Sequence, residues 1–162
     1  MTSQPPLLPP DGEARHLARQ ILAGARYAAL AVIDLESDTP FVSRVGMGLC
    51  PQGLPISLMS DLALHTAALR ANPACALLLG EPGEKGDPLT YPRLTLQCRS
   101  AFIPRGGTEH AALRRHYLLS HPKAQIYIDF ADFSFVHMPP FAVHLNAGFG
   151  KAYRLKPADL LS

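Results

Sequence analysis

The sequence predicts a mainly β fold of the α+β class, an antiparallel barrel with helices at its periphery. Three observations carry this expectation. Six or seven segments have the length and apolar patterning of strands, most are joined by short turns, and the helical segments are too few to alternate with them. A doubly wound parallel sheet needs that alternation, so it is set aside. With 48% apolar and 17% charged residues over 162 positions, the chain can bury a substantial core.

The elements follow in order. Residues 1–12 hold four prolines and a glycine and read as an extended N-terminal arm, followed by one domain over 13–162. "EARHLARQILAGAR" spaces Ala14, Leu17, Ala18, Ile21 and Leu22 as on one helical face, with Asp11 as its cap and Gly24 at its end. "YAALAVID" (27–34) is an apolar strand. "FVSRVGMGLC" (41–50) alternates, so Phe41, Ser43 and Val45 face one way and Val42, Arg44 and Gly46 the other. After the turn at Pro51-Gln52-Gly53, "LPISLMS" (54–60) returns, giving a three-strand meander. A short helix then runs to Asn72-Pro73. "ACALLLGE" (74–81) is a buried strand, 82–92 a long loop, and "RLTLQCRSAFIPR" (93–105) one long strand. "TEHAALRRHYLLSHP" is helical with Thr108 as its N-cap, and 132–155 holds two or three strands broken by Pro139-Pro140 and Gly148.

Composition limits the function classes. The net charge is +2 and Arg114-Arg115 is the only adjacent basic pair, so no basic face for nucleic acid is expected. No apolar run approaches the roughly 20 residues that span a bilayer. The N-terminus lacks the basic and apolar pattern of a signal peptide. The expectation is a cytoplasmic protein with no membrane partner. Cys50, Cys75 and Cys98 are odd in number and far apart, which argues against a disulfide framework and for buried thiols in a reducing compartment. Seven histidines show no H-x-x-x-H or H-E-x-x-H spacing, so no metal site is expected. Asp129 and Asp132 in "DFADF" read as caps of a helix or turn beside packed phenyl rings.

One constellation suggests chemistry. Ser60, His65 and Thr66 gather at the start of the short helix, where unpaired N–H groups attract anions. Arg44 lies on a neighbouring strand, with Gly46 and Gly48 next on the same face to leave the surface open beside its guanidinium, the group suited to bidentate phosphate contacts. Helix capping and an ordinary surface arginine explain the same residues, and the sequence leaves both readings open.

The stretch "VSRVGMGLCPQGLPISLMSDLALHTAALRANP" resembles the flavin-binding segment of the pyridoxamine 5′-phosphate oxidase-like family, the FMN-binding split barrels. "GDPLTYPRLTLQCRS", "YLLSHPKAQIYIDFADFSFVHM" and "NAGFGKAYRL" resemble the branch related to haem-utilisation proteins, so the likeness covers about residues 13–160. It implies an antiparallel split β-barrel forming a homodimer, with FMN at the interface and a small-molecule redox substrate. It implies that Arg44 grips the FMN phosphate and that Val45, Met59 and Ser60 meet the flavin. His65 stands where the vitamin-B6 oxidases have a phosphate-binding Lys, with Thr66 beside it. Gln97 and Arg99 are the polar candidates from the partner's long strand. The family's substrate-binding C-terminal segment has no match in "KAYRLKPADLLS", and Leu94 stands where the true oxidases have a Gln. The resemblance leaves three functions in play: a flavin-dependent oxidoreductase, a haem-binding or haem-utilisation protein on the same barrel, and a non-catalytic flavin-binding module.

Overall fold

The computed structural model describes residues 7–161. Three helices, α1 (Gly12–Gly24), α2 (Leu64–Ala71) and α3 (Thr108–Ser120), surround ten strands. These are β1 (Tyr27–Ile33), β2 (Pro40–Gly46), β3 (Gly48–Leu49), β4 (Pro55–Ser60), β5 (Ala74–Leu79), β6 (Arg93–Arg99), β7 (Ala101–Phe102), β8 (Phe133–His137), β9 (Pro140–Asn146) and β10 (Ala152–Leu155). They form a six-stranded sheet in the order β10-β9-β6-β5-β1-β2 and a four-stranded sheet in the order β3-β4-β8-β7. All ladder pairs are antiparallel, so the fold is the mainly β, α+β split barrel that the sequence predicts.

The barrel is split because strands change sheet partway along. β2 pairs with β1 up to Gly46, and from Gly48 the same run pairs with β4. Between them Met47 donates its N–H to the Arg26 carbonyl. The predicted meander over 27–60 is therefore two hairpins in two sheets. The predicted long strand over 93–105 divides likewise at Ser100, whose N–H goes to Pro73, and ends at Phe102. Each crossing counts as two strands, which is one reason the structure has more strands than the six or seven segments expected.

Two cores result. The larger lies between the sheets and is closed by α1 through Ala14, Ala18 and Leu22; it includes Leu30, Met47, Met59 and Leu96. The smaller fills the space under α3 with Ile56, Phe135, Leu113 and Tyr117. Asp11 caps α1 as expected, accepting from Ala14 N–H at 2.8 Å. At α3 the expectation fails by one residue: Gly107 is the N-cap, Thr108 is the first helical residue, and no side chain caps the end. The predicted arm lies outside the described residues at 1–6. Beyond them, Leu8 lies alongside Tyr153 in a parallel bridge and donates its N–H to Ala152.

The glycines flanking Met47 serve packing. A Cβ on Gly46 would stand 2.8 Å from the Tyr117 hydroxyl, and one on Gly48 would stand 3.1 Å from its ring. They do not hold space open for a ligand; Tyr117 of α3 fills it. That ring stacks on His121 at 4.2 Å, and the His121 Nε2 reaches the Arg26 carbonyl at 2.9 Å. Gly46→Ala should therefore cost about 1–3 kcal/mol as overpacking. In a Tyr117→Phe background, which lacks the crowded hydroxyl, the same change should cost measurably less. Urea unfolding of the two single variants and the double variant tests this non-additivity.

Candidate functional site

Pairing in register puts opposed residues on one face of a sheet. On the six-stranded sheet the inner face is the core: Ala28, Leu30, Val45, Leu77 and Leu96 are all buried. The outer face is different in kind. Its floor is mostly alanine, with Ala29 and Ala31 of β1 opposite Leu78 and Ala76 of β5. Its rim is mixed, with Tyr27, Val42 and Phe141 exposed beside Arg44, Gln97 and Arg99.

Arg44 belongs to this outer face. Its register partner is Ala29, and its guanidinium carbon lies 5.4 Å from the centroid of the Tyr27 ring. With Tyr27, Val42, Leu78 and Glu81 it borders a cavity of about 280 Å³. It has no ion-pair partner among the described residues; their pairs are Arg15–Asp159, Arg70–Asp61 and Arg114–Asp129. Gln97 and Arg99 share the face. Gln97 Oε1 meets His144 Nε2 at 3.2 Å, and the Arg99 guanidinium lies 5.6 Å from the Phe141 centroid.

The start of α2 lies on the other side of β2. Ser43, the residue before Arg44, faces inward and bonds His65 Nδ1 at 3.0 Å. Thr66 is buried and donates its hydroxyl to the Ser60 carbonyl at 2.6 Å. Ser60 donates its own hydroxyl to Asp132 at 2.6 Å and accepts from Leu62 N–H. The expected clasp of a phosphate between Arg44 and His65 with Thr66 is thus not formed. Alternation along β2 sends consecutive side chains to opposite faces, and the Arg44 cavity is lined by neither His65 nor Thr66. The hydroxyls do not cap the helix either: Ala63 is the N-cap and makes no side-chain bond. They tie the β4–α2 junction to the segment before β8.

The Val45 and Met59 side chains are buried in the larger core, leaving only main chain to meet a ligand. As a host for FMN, the α2 start therefore does not fit: its hydroxyls and the His65 Nδ1 are already engaged by protein groups. The residues that sequence reasoning missed are Ser43, Tyr27 and His144. Ser43 was placed on the correct face, but nothing local indicates its histidine partner 22 residues on. Asp132 was singled out, though as a cap; it receives Ser60, while Asp129 accepts two bonds from Arg114 at 2.7 and 2.6 Å. His137 and His144, on either side of Pro139-Pro140, lie in different sheets.

Half-burial lowers the His65 pKa below its ordinary 6.5. The unfolded chain then binds more protons than the folded one between the two values, so stability should fall as pH drops from 6.5 towards the folded pKa. Urea midpoints between pH 7.5 and 5 should decline less for His65→Gln than for the unsubstituted protein.

No family model matches the chain. Single proteins do. Over 136 residues, 83% of this chain, it is 37% identical to the non-canonical heme oxygenase HOZ, chloroplastic, of Arabidopsis thaliana. It spans 40% of that relative's length. A heme binding protein from Mycobacterium smegmatis is 29% identical with a TM-score of 0.80, over 95% of this chain and 61% of the other. A pyridoxinephosphate oxidase family protein from Clostridium acetobutylicum, related to general stress protein 26, shares the fold with a TM-score of 0.69 at 12% identity, over 93% of this chain and 99% of its own. Among the described residues no helix is long and apolar enough to cross a membrane. The order of strands, the split at Met47 and Ser100, and these likenesses agree: the chain belongs to the split-barrel pyridoxamine 5′-phosphate oxidase-like family, in the branch related to haem-utilisation proteins.

Proposed function

We propose that this chain binds haem on the outer face of its six-stranded sheet, with a second copy of the chain packed over the ligand. One observation carries the reading: a floor mostly of alanines on β1 and β5, with Leu78 at its Arg44 end, bordered by Arg44 and Arg99, neither with an ion-pair partner among the described residues. A flat ring needs a floor without protruding side chains, and its two carboxylates need cations at the margin. Tyr27, Val42, Leu78 and Phe141, each between 42% and 61% exposed, add apolar area that a ring and a second protomer would cover. The heme oxygenase and heme-binding relatives support the same ligand class.

Arg44 and Arg99 would hold the carboxylates, and the alanines would contact the ring. The Gln97–His144 pair would present a polar edge to it. The iron supplies any oxygen or electron chemistry when haem is bound; this chain's residues bind, orient and exclude water. FMN is the second reading, favoured by the free guanidinium of Arg44 in its cavity.

Haem titration of the purified protein should raise a Soret band that saturates at one haem per chain or per pair. Arg44→Ala and Arg99→Ala should each weaken binding by about 1 kcal/mol, roughly fivefold. Sedimentation equilibrium at micromolar concentration should give a dimer. Absence of a Soret band, or affinity unchanged in both variants, rejects the haem site; twin flavin bands in the purified protein select the FMN reading.

A further inference from the structure

The three cysteines look unrelated in sequence, yet the fold sets two of them face to face. Cys75 of β5 and Cys98 of β6 are direct register partners. Two residues away in the same ladder, Ser100 N–H bonds the Pro73 carbonyl at 2.8 Å. Antiparallel pairs alternate in type, so Cys75 and Cys98 form a hydrogen-bonded pair with Cα atoms about 5.5 Å apart. A disulfide is accommodated at Cα separations of roughly 4.4–6.8 Å. Both side chains project to the same face, and the Cys98 thiol donates locally to the Leu96 carbonyl at 3.7 Å. Between Gln97 and Cys98 the β6–β9 register slips, with Phe141 of β9 as the extra, unpaired residue beside the pair.

The two thiols differ in exposure. Cys98 is fully buried, whereas Cys75 is only half-buried. Both border a cavity of about 290 Å³ together with Ala31, Val32 and Phe141. Cys50 lies elsewhere, 2% exposed in the smaller core. We propose that Cys75 and Cys98 are a redox-active dithiol, in which Cys75 reacts with hydrogen peroxide and Cys98 resolves the product to an intramolecular disulfide. This goes beyond the haem reading and stands without it.

The chemistry balances in two steps. The Cys75 thiolate attacks one peroxide oxygen, breaking the O–O bond; the sulfur is oxidised to a sulfenic acid and hydroxide leaves. The Cys98 sulfur then attacks the Cys75 sulfur, the S–S bond forms, and the sulfenic oxygen departs with the Cys98 proton as water. The net change is two thiols and one peroxide to one disulfide and two waters. The Cys98 thiol opposite it draws the Cys75 pKa below its ordinary thiol value, and Cys75, with burial, pushes Cys98 up. Cys75 is thus the thiol that supplies the first thiolate.

The test uses the whole chain without added ligand. After brief exposure to stoichiometric hydrogen peroxide and alkylation under denaturing conditions, peptide mass mapping should show thiols falling from three per chain to one. A Cys75–Cys98 peptide should appear and dithiothreitol should reverse it. In Cys75→Ser, Cys98 should stay reduced under the same treatment, and in Cys50→Ser the cross-link should form as before. Cys75 halted at sulfinic acid beside an alkylated Cys98 overturns the proposal. So do three thiols surviving peroxide, or Cys75 joined to Cys75 of another copy.

Discussion

The run from Pro40 to Leu49 belongs to two sheets, and its change of partner at Met47 governs the molecule. Up to Gly46 its amides and carbonyls serve β1; from Gly48 they serve β4. Because side chains alternate along a strand, this arrangement commits Ser43 and Val45 to the core and Arg44 to the outside. A slip of one residue would bury the guanidinium and expose Val45. The tight fit of Tyr117 against Gly46 and Gly48 guards the crossing, since a side chain on either glycine would crowd the Tyr117 side chain.

From that constraint follows a division between the faces. Inward-pointing polar groups are consumed in structure: Ser43 holds His65, Thr66 holds the Ser60 carbonyl, and Ser60 holds Asp132. Outward-pointing ones remain available, with Arg44 and Arg99 lying over aromatic rings instead of acids. Cations placed over aromatic faces are partly compensated and still free to accept an anion. A ligand-binding surface is therefore expected on the sheet face and not at the helix start.

Much of the fold was legible because it rests on local signals. The alternation of 41–47, the capping aspartate of α1 and the Pro-Gln-Gly turn at 51–53 each carry their own physics. The strand crossings were not legible, since nothing in "RVGMGL" or "QCRSAF" distinguishes a strand that continues from one that changes partner. For the same reason the site was read in part. The polar residues around β2 and α2 were found, but a motif in chain order cannot say which lie on one side of a strand. Pairings such as Ser60 with Asp132, 72 positions apart, or Cys75 with Cys98, exist only once the sheet order is known.

The two margins of the six-stranded sheet are finished in different ways. At β2 the strand opens with Pro40, which has no N–H to offer, and carries an arginine. At β10 the margin is covered by the chain itself, through the single bridge of Leu8 to Tyr153 and its bond to Ala152. That thin cover shields an otherwise bare row of main-chain donors and acceptors, of the sort that recruits strands from other molecules. Removing the chain up to and including Leu8 would bare the Ala152 carbonyl and the edge of β10, a border on which a strand from another molecule can pair.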